Sequence, residues 1–140
     1  MSKILKTVLE NLIYILLLIA ISAGTPKALS YVMGTSYPIA SITSGSMWPV
    51  LKKGDLVLIK YVKNEDIKIG DIVVFKNENG FTIHRVTEIT GNKIRTKGDA
   101  NNISDLAIEY KDIVGRTLIY NEKPVKIPYL GNLTIWASGR

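Results

Sequence analysis

The sequence predicts a mainly β domain, a small barrel or folded sheet, behind one N-terminal transmembrane helix. The apolar residues near the N-terminus form one run without charge. The rest of the chain alternates short apolar runs, rich in β-branched residues, with Gly and Asn turns. No long amphipathic helix pattern follows residue 27. The 140 residues allow one such domain plus an anchor.

The first element is the expected anchor. No charged residue lies between Glu10 and Lys27, and Leu12–Ile21 is continuously apolar. A helix from Ile4 to Ala23 would span the hydrocarbon core of a bilayer, roughly 30 Å. Gly24, Thr25 and Pro26 are expected to end this helix, because proline removes a backbone donor and clashes with the preceding turn. A cleavable signal peptide and a buried core helix are the alternative interpretations.

The distribution of lysines predicts the orientation of this anchor. Lys3 and Lys6 precede the apolar run, whereas only Lys27 follows it closely. The positive-inside rule therefore puts the N-terminus in the cytoplasm of a single-pass protein of the cell membrane. We divide the chain into a cytoplasmic tip and anchor, residues 1–26, and an extracytoplasmic β domain, residues 27–140.

The elements of the β domain follow from apolar periodicity and turn residues. Residues 27–51 are rich in Ser, Thr, Gly and Pro and are expected to be neither helix nor regular strand. One short helix is expected at residues 105–110. Turns are expected where Asn and Gly tolerate positive φ, at Asn77–Gly80 and Gly91–Asn92. The expected strands are Leu56–Ile59, Ile72–Phe75, Phe81–Ile89, Lys93–Lys97 and Ile113–Tyr120.

Composition excludes several classes of function. The absence of Cys rules out disulfides and Cys-ligated zinc, and a single His rules out multi-histidine metal sites. We therefore expect neither a metal nor another cofactor. The net charge of +6 comes from basic residues interleaved with acids, which is typical of a solvated surface. A nucleic acid is therefore not an expected partner.

The segment Ser44-Gly45-Ser46-Met47-Trp48-Pro49 is the densest candidate for chemistry. A serine beside glycine in an apolar, irregular segment is suited to act as a nucleophile, with neighbouring N–H groups facing a substrate carbonyl. The alternative is an ordinary loop, in which Ser-Gly-Ser is common.

His84 is the only histidine and lies in a predicted strand. An imidazole that titrates near neutrality can take a proton from a hydroxyl, so His84 is a candidate general base. The alternative is a half-buried strand residue without chemistry. Arg85 should point to the opposite face of the strand and be solvated rather than catalytic.

The polar loop after residue 97 contains two carboxylates, Asp99 and Asp105. A surface loop with turn-capping Asp and Asn is one interpretation. A divalent-cation site is a second, although the spacing of a calcium loop that ends in Glu is missing. In the third, one Asp orients His84 and stabilises its imidazolium.

Taken together, these segments resemble the type I signal peptidases. The resemblance covers nearly the whole chain, with the anchor in front and the motifs in the same order. It also includes Lys52-Lys53-Gly54-Asp55, Ile69-Gly70-Asp71-Ile72-Val73 and Ile127-Pro128-Tyr129-Leu130-Gly131. The central motifs are Ser-Gly-Ser-Met-x-Pro at 44–49, His-Arg-Val at 84–86, and Lys-Gly-Asp at 97–99 followed by a second Asp at 105.

The resemblance implies a role for each candidate residue in a signal-peptidase-like fold. Ser46 corresponds to the nucleophile and His84 to the base, where a histidine rather than the bacterial lysine marks the archaeal and endoplasmic-reticulum branch. Asp105 corresponds to the acid of the triad and Asp99 to a supporting acid. Ser44 corresponds to a position near the oxyanion hole, with the Ser46 N–H as the main donor.

The implied function is that of a membrane-anchored serine endopeptidase that removes N-terminal signal peptides from exported preproteins. Its expected partners are preprotein signal peptides, the lipid bilayer and the protein-export machinery. A self-cleaving repressor protease would need a lysine base and a DNA-binding domain, of which the sequence shows no sign. The alternative of another class is a catalytically inactive, membrane-anchored binding module with the same fold.

Overall fold

A computed structural model describes residues 3–78 and 80–139. Met1 and Ser2 of the predicted cytoplasmic tip, Asn79 of the predicted 77–80 turn and Arg140 lie outside the described residues. The first element is one helix of 31 residues, α1 (Lys3–Met33), none of whose residues is buried. By length and composition it is able to cross a membrane.

The predicted end of this helix at Pro26 is wrong, because α1 continues through the proline to Met33. An internal proline removes a single backbone donor, and the turns that follow can still form. The helix ends instead where the domain begins. Gly34 adopts a positive φ of 66°, and the Tyr61 N–H donates to the Met33 carbonyl, 2.8 Å away. At 1.5 Å per residue, α1 is about 46 Å long, which exceeds the roughly 30 Å of a bilayer core.

The rest of the chain is mainly antiparallel β-sheet, which confirms the predicted fold class. Its elements are β1 Ile39–Ser41, β2 Leu56–Lys60, β3 Ile72–Asn77, β4 Gly80–Thr90, β5 Lys93–Lys97, β6 Ile108–Glu109, β7 Ile113–Thr117, β8 Ile119–Tyr120, β9 Lys123–Pro124, β10 Lys126–Ile127 and a short helix, α2 Gly131–Ala137. The main sheet has the strand order β1-β2-β7-β3-β4-β5-β6, with β10 also paired to β2, and β8 and β9 form a separate pair. The helix α2 packs beside β1.

The predicted strands are present, but three local expectations fail. Residues 27–51 contain the end of α1 and all of β1, and the strand predicted over residues 113–120 is interrupted at Leu118. The helix predicted at residues 105–110 is absent. The Asp105 N–H donates to the Thr96 carbonyl, and residues 108 and 109 pair with β5 as β6. Tertiary pairing therefore overrides local propensity there, and only a 3₁₀ turn at Tyr110–Asp112 follows.

The core has two apolar clusters that share β3. Ile72 and Val74 belong to one cluster, whereas Val73 and Phe75 belong to the other. Both faces of β3 are therefore buried, which explains why its sequence is a continuous apolar run. In the antiparallel ladder with β4, Val73 pairs with His84. The predicted base therefore lies next to the centre of the core.

Candidate active site

Ser46 lies in the irregular loop between β1 and β2, which is held by its apolar residues. Met47 and Leu51 are buried in the core, and the Leu51 N–H donates to the Met47 carbonyl at 2.9 Å. The Trp48–Pro49 peptide bond in this loop is cis. Burial of Met47 leaves the neighbouring Ser46 side chain at the surface of the core, facing β4.

His84 connects this loop to the polar loop after β5. Its Nε2 lies 3.1 Å from the Ser46 Oγ, and its Nδ1 lies 2.6 Å from the Asp105 Oδ2. A carboxylate only accepts, so the Nδ1–H donates to Asp105, and Nε2 is then free to accept from the Ser46 hydroxyl. This arrangement suits proton transfer from Ser46 to His84 with Asp105 holding the imidazole.

Asp99 lies in the same polar loop but contacts a different residue. Its two carboxylate oxygens accept from the Arg85 Nε at 2.8 Å and the Arg85 Nη2 at 2.7 Å. The Arg85 Nη1 donates to the Gly70 carbonyl at 2.8 Å. The expectation that Arg85 is merely solvated is therefore wrong, because its guanidinium is bound bidentately on one side and to backbone on the other.

This ion pair changes the pKa of Arg85. The hydrogen bond to Asp99 raises the pKa of Arg85, burial lowers it, and the charge of Asp99 raises it again, with a net increase. Arg85 is therefore charged at any working pH. The pair fastens the polar loop to β4 outside the contacts of Ser46, His84 and Asp105.

The polar loop is also fastened directly to the Ser46 backbone. The Ala100 N–H donates to the Ser46 carbonyl at 2.8 Å. A Cβ on Gly98 would lie 2.6 Å from the same carbonyl oxygen, a distance that real Cβ atoms essentially never show. Glycine at position 98 therefore permits the close approach of the two loops.

Ser44 lies beside the predicted nucleophile. Its Oγ is 3.1 Å from the Ser46 Oγ and 3.5 Å from the Ser46 N. The second distance is long for an N–H···O hydrogen bond, so the Ser46 N–H is only weakly engaged. A weakly engaged N–H can donate to another acceptor, as the predicted oxyanion donor must.

A cleft of about 880 Å³ opens beside Ser46 and His84. Its lining includes the buried residues Met47, Ile59 and Val74, which give it an apolar floor. β1 and residues 80–84 of β4 form its sides, and α2 contributes Thr134, whose hydroxyl is hydrogen-bonded to Ser41.

Sequence reasoning missed two contacts at this site. The Thr96 Oγ1 donates to the Asp105 Oδ2 at 2.6 Å, and Arg85 binds Asp99. Alternation along β5 already indicated that Thr96 shares a face with the apolar Ile94. Most buried hydroxyls are hydrogen-bonded, so a hydroxyl on an apolar strand face was a reason to expect a polar partner there, although the sequence does not say which one.

A serine, a histidine and an aspartate in consecutive hydrogen-bond contact, on a mainly antiparallel β fold, define the class of Ser–His–Asp hydrolases. Comparison with known proteins also identifies the chain as a peptidase. Residues 20–118 match the model of the Peptidase S24-like family. The chain belongs to this family, within the branch of the signal peptidase catalytic subunits described next.

The relatives of the chain identify that branch. The signal peptidase complex catalytic subunit SEC11 of Lachancea thermotolerans is 36% identical over 129 residues, which are 80% of this chain and 73% of the relative. The human catalytic subunit SEC11C is 35% identical over 124 residues, 78% of this chain. The matched region spans 62% of the human relative's length. The resemblance to the endoplasmic-reticulum and archaeal type I signal peptidases is thereby confirmed.

Proposed function

We propose that the protein is a membrane-anchored serine endopeptidase that cleaves N-terminal signal peptides from exported preproteins. The observation that supports this most is the chain of contacts from Ser46 through His84 to Asp105. The relatives, which are catalytic subunits of signal peptidase complexes, support the substrate class.

In the proposed reaction, the Ser46 Oγ attacks the carbonyl carbon of the scissile peptide bond while His84 Nε2 takes the hydroxyl proton. His84 then returns the proton to the leaving amine, and an acyl-enzyme on Ser46 remains. Water attacks this ester with His84 again as the base, which releases the carboxylate product and restores Ser46. Asp105 keeps the imidazole in the required tautomer and stabilises its charge. The N–H of Ser46, with Ser44 beside it, is the proposed donor to the oxyanion.

The cleft is suited to an extended peptide. Among the described residues, β1 pairs only with β2, and residues 80–84 of β4 pair only with β3. Each strand therefore has an unpaired edge beside the cleft, to which a substrate strand can add by backbone hydrogen bonds. The apolar floor suits the apolar character of a signal peptide.

The anchor would bring the cleft to its substrates. We propose that α1 spans the cell membrane once with its N-terminus in the cytoplasm, so that residues 27–140 lie outside. The supporting observations are the apolar length of α1 and the lysines before it. In this orientation, the bilayer, the emerging signal peptide and the export machinery are the proposed partners.

Incubation of the full chain in detergent with a purified preprotein tests the proposal. We expect the wild type to release a mature protein cut at one site, and Ser46→Ala to release none. Ser36→Ala, a change at an exposed serine outside the cleft lining, is the matched control and should cleave normally. A wild type that binds the preprotein but leaves it intact, like Ser46→Ala, would instead indicate the inactive binding module.

A further inference from the structure

We infer that Thr96 is a positioning residue for the proposed hydrolysis: its hydroxyl fixes the Asp105 carboxylate against His84. This inference rests on the proposed function, since it concerns how the acid of that site is held. Thr96 itself contacts neither Ser46 nor the imidazole in the described hydrogen bonds, so its effect would pass through Asp105.

Two hydrogen bonds join Thr96 to Asp105. The Thr96 Oγ1 donates to the Asp105 Oδ2 at 2.6 Å, and the Asp105 N–H donates to the Thr96 carbonyl at 2.8 Å. The same Oδ2 accepts from the His84 Nδ1, also at 2.6 Å. One carboxylate oxygen therefore binds two donors, which selects the oxygen that faces the imidazole.

These two hydrogen bonds to one oxygen matter because Asp105 lies in a stretch without regular secondary structure. Its side chain is 26% exposed, so water can compete for it. Thr96, by contrast, is fully buried in β5. β5 pairs with β4, where Val86 is the partner of Thr96 and lies two residues from His84. Thr96 thus ties the Asp105 carboxylate, which lies in a loop, to the strand pair that holds His84.

A buried threonine hydroxyl does not require such a partner in this fold. Thr117 in β7 is 1% exposed, and its Oγ1 has no hydrogen-bond partner among the described residues. Thr96 and Thr117 are therefore a matched pair, two buried strand threonines of which only one contacts the site. Replacing either by valine removes a hydroxyl while preserving the shape of the side chain.

The test compares Thr96→Val, Thr96→Ser and Thr117→Val in the full chain in detergent. Cleavage of a preprotein gives kcat and KM, thermal unfolding gives Tm, and proton NMR detects the hydrogen-bonded Nδ1 proton of His84. The chain has a single histidine, so this resonance needs no assignment. A charge-assisted hydrogen bond corresponds to about 10-fold to 100-fold in an equilibrium or rate constant.

We expect Thr96→Val to lower kcat by about 10-fold or more with little change in KM, and to shift or broaden the Nδ1 resonance. Thr96→Ser should restore both, and Thr117→Val should leave both as in the wild type. An unchanged kcat and resonance in Thr96→Val would overturn the inference. An equal loss of kcat in Thr117→Val would also overturn it, because the loss would then reflect core packing.

An alternative pair of variants and a measurement without substrate keep the inference testable. If Thr96→Val does not fold, Thr96→Ser and Thr96→Ala, which differ only in the hydroxyl, replace the comparison, and equal resonances in the two would count against positioning. If the wild type leaves the preprotein intact, the proposed function fails, but the His84 resonance needs no substrate. It still decides whether Thr96 positions Asp105.

Discussion

His84 and Arg85 are adjacent on β4, and each binds one carboxylate of the same polar loop, yet their surroundings differ. The His84 side chain is 9% exposed, and it is hydrogen-bonded to Asp105 through Nδ1 and to Ser46 through Nε2. The Arg85 side chain is 32% exposed, and its guanidinium donates both to Asp99 and to the Gly70 carbonyl. Successive strand residues point to opposite faces, so one pair faces the cleft and the other fastens the loop.

The two carboxylates of one loop therefore serve in pairs of different kinds. In the proposed reaction, His84 is neutral before it takes the Ser46 proton and charged afterwards. The His84–Asp105 pair serves the reaction because this charge changes. The Arg85–Asp99 pair keeps its charge and is bidentate, a geometry that favours rigidity. Substitutions at the two pairs should therefore separate activity from stability.

The largest effect is expected at the cleft pair and its nucleophile. Ser46→Ala and His84→Ala should each lower kcat by about 10⁵-fold or more, because each removes a group that the proposed proton transfer needs. Turnover of one preprotein by the single and double variants measures this. The double variant should be no slower than either single one, since members of a triad act as a unit. Near-normal turnover of His84→Ala would exclude it as the base.

Asp105→Asn should have the next largest effect. The change preserves shape but removes the charge that would stabilise the imidazolium in the proposed reaction, and in another triad a comparable change costs ~10⁴ in turnover. We expect a loss of that order with Tm within a few degrees of the wild type. Turnover and thermal unfolding in one detergent are the measurements.

Asp99→Asn should cost more stability and less activity than Asp105→Asn. It leaves the Arg85 guanidinium half-buried without a carboxylate, so we expect a loss of about 1–3 kcal/mol in the free energy of unfolding. Activity should fall by less than in Asp105→Asn. The same turnover and unfolding measurements apply. A well-folded but inactive Asp99→Asn beside a nearly normal Asp105→Asn would exchange the roles of the two aspartates.

The smallest effect is expected on the free energy of unfolding, at the Lys126–Asp55 ion pair, which ties β10 to the turn before β2. The Lys126 Nζ lies 2.7 Å from the Asp55 Oδ2 and 2.8 Å from the Val50 carbonyl. Burial raises the pKa of Asp55. The hydrogen bonds from Lys126 and the Lys52 N–H and the charges of both lysines lower it, and the net pKa lies below 3.8.

A carboxyl with a lowered pKa in the folded state stabilises the fold above its unfolded pKa, and this stabilisation is lost as the pH falls through the folded value. At pH 7 we therefore expect Lys126→Met to lower the free energy of unfolding by about 1–2 kcal/mol. The difference from the wild type should shrink below about pH 4. Denaturant unfolding at both pH values measures it, with the exposed Lys123→Met as control. A difference that is independent of pH would contradict the electrostatic origin.

Much of the fold could be predicted because its signals are local. The apolar runs of β2 and β3, the alternation along β5 and the Gly91 turn depend on residues that are neighbours in the sequence. Ser46 and His84 could be singled out because a Ser-Gly-Ser segment and a lone histidine are visible as residue types. The end of α1 could not, because it depends on a hydrogen bond from Tyr61, 28 residues further along the chain from Met33.

The sequence by itself determined the β-rich fold, the apolar N-terminal helix and the short set of residues able to do chemistry, since side-chain type and periodicity are sufficient for these. Only the tertiary structure decided which aspartate meets His84, that Arg85 is paired with Asp99, and that Thr96 binds Asp105. These contacts depend on strand register across β4 and β5, where the pairing shifts between Val86 and Glu88. A slip of one residue would turn every side chain of a strand to its other face, and no local pattern in the sequence specifies that register.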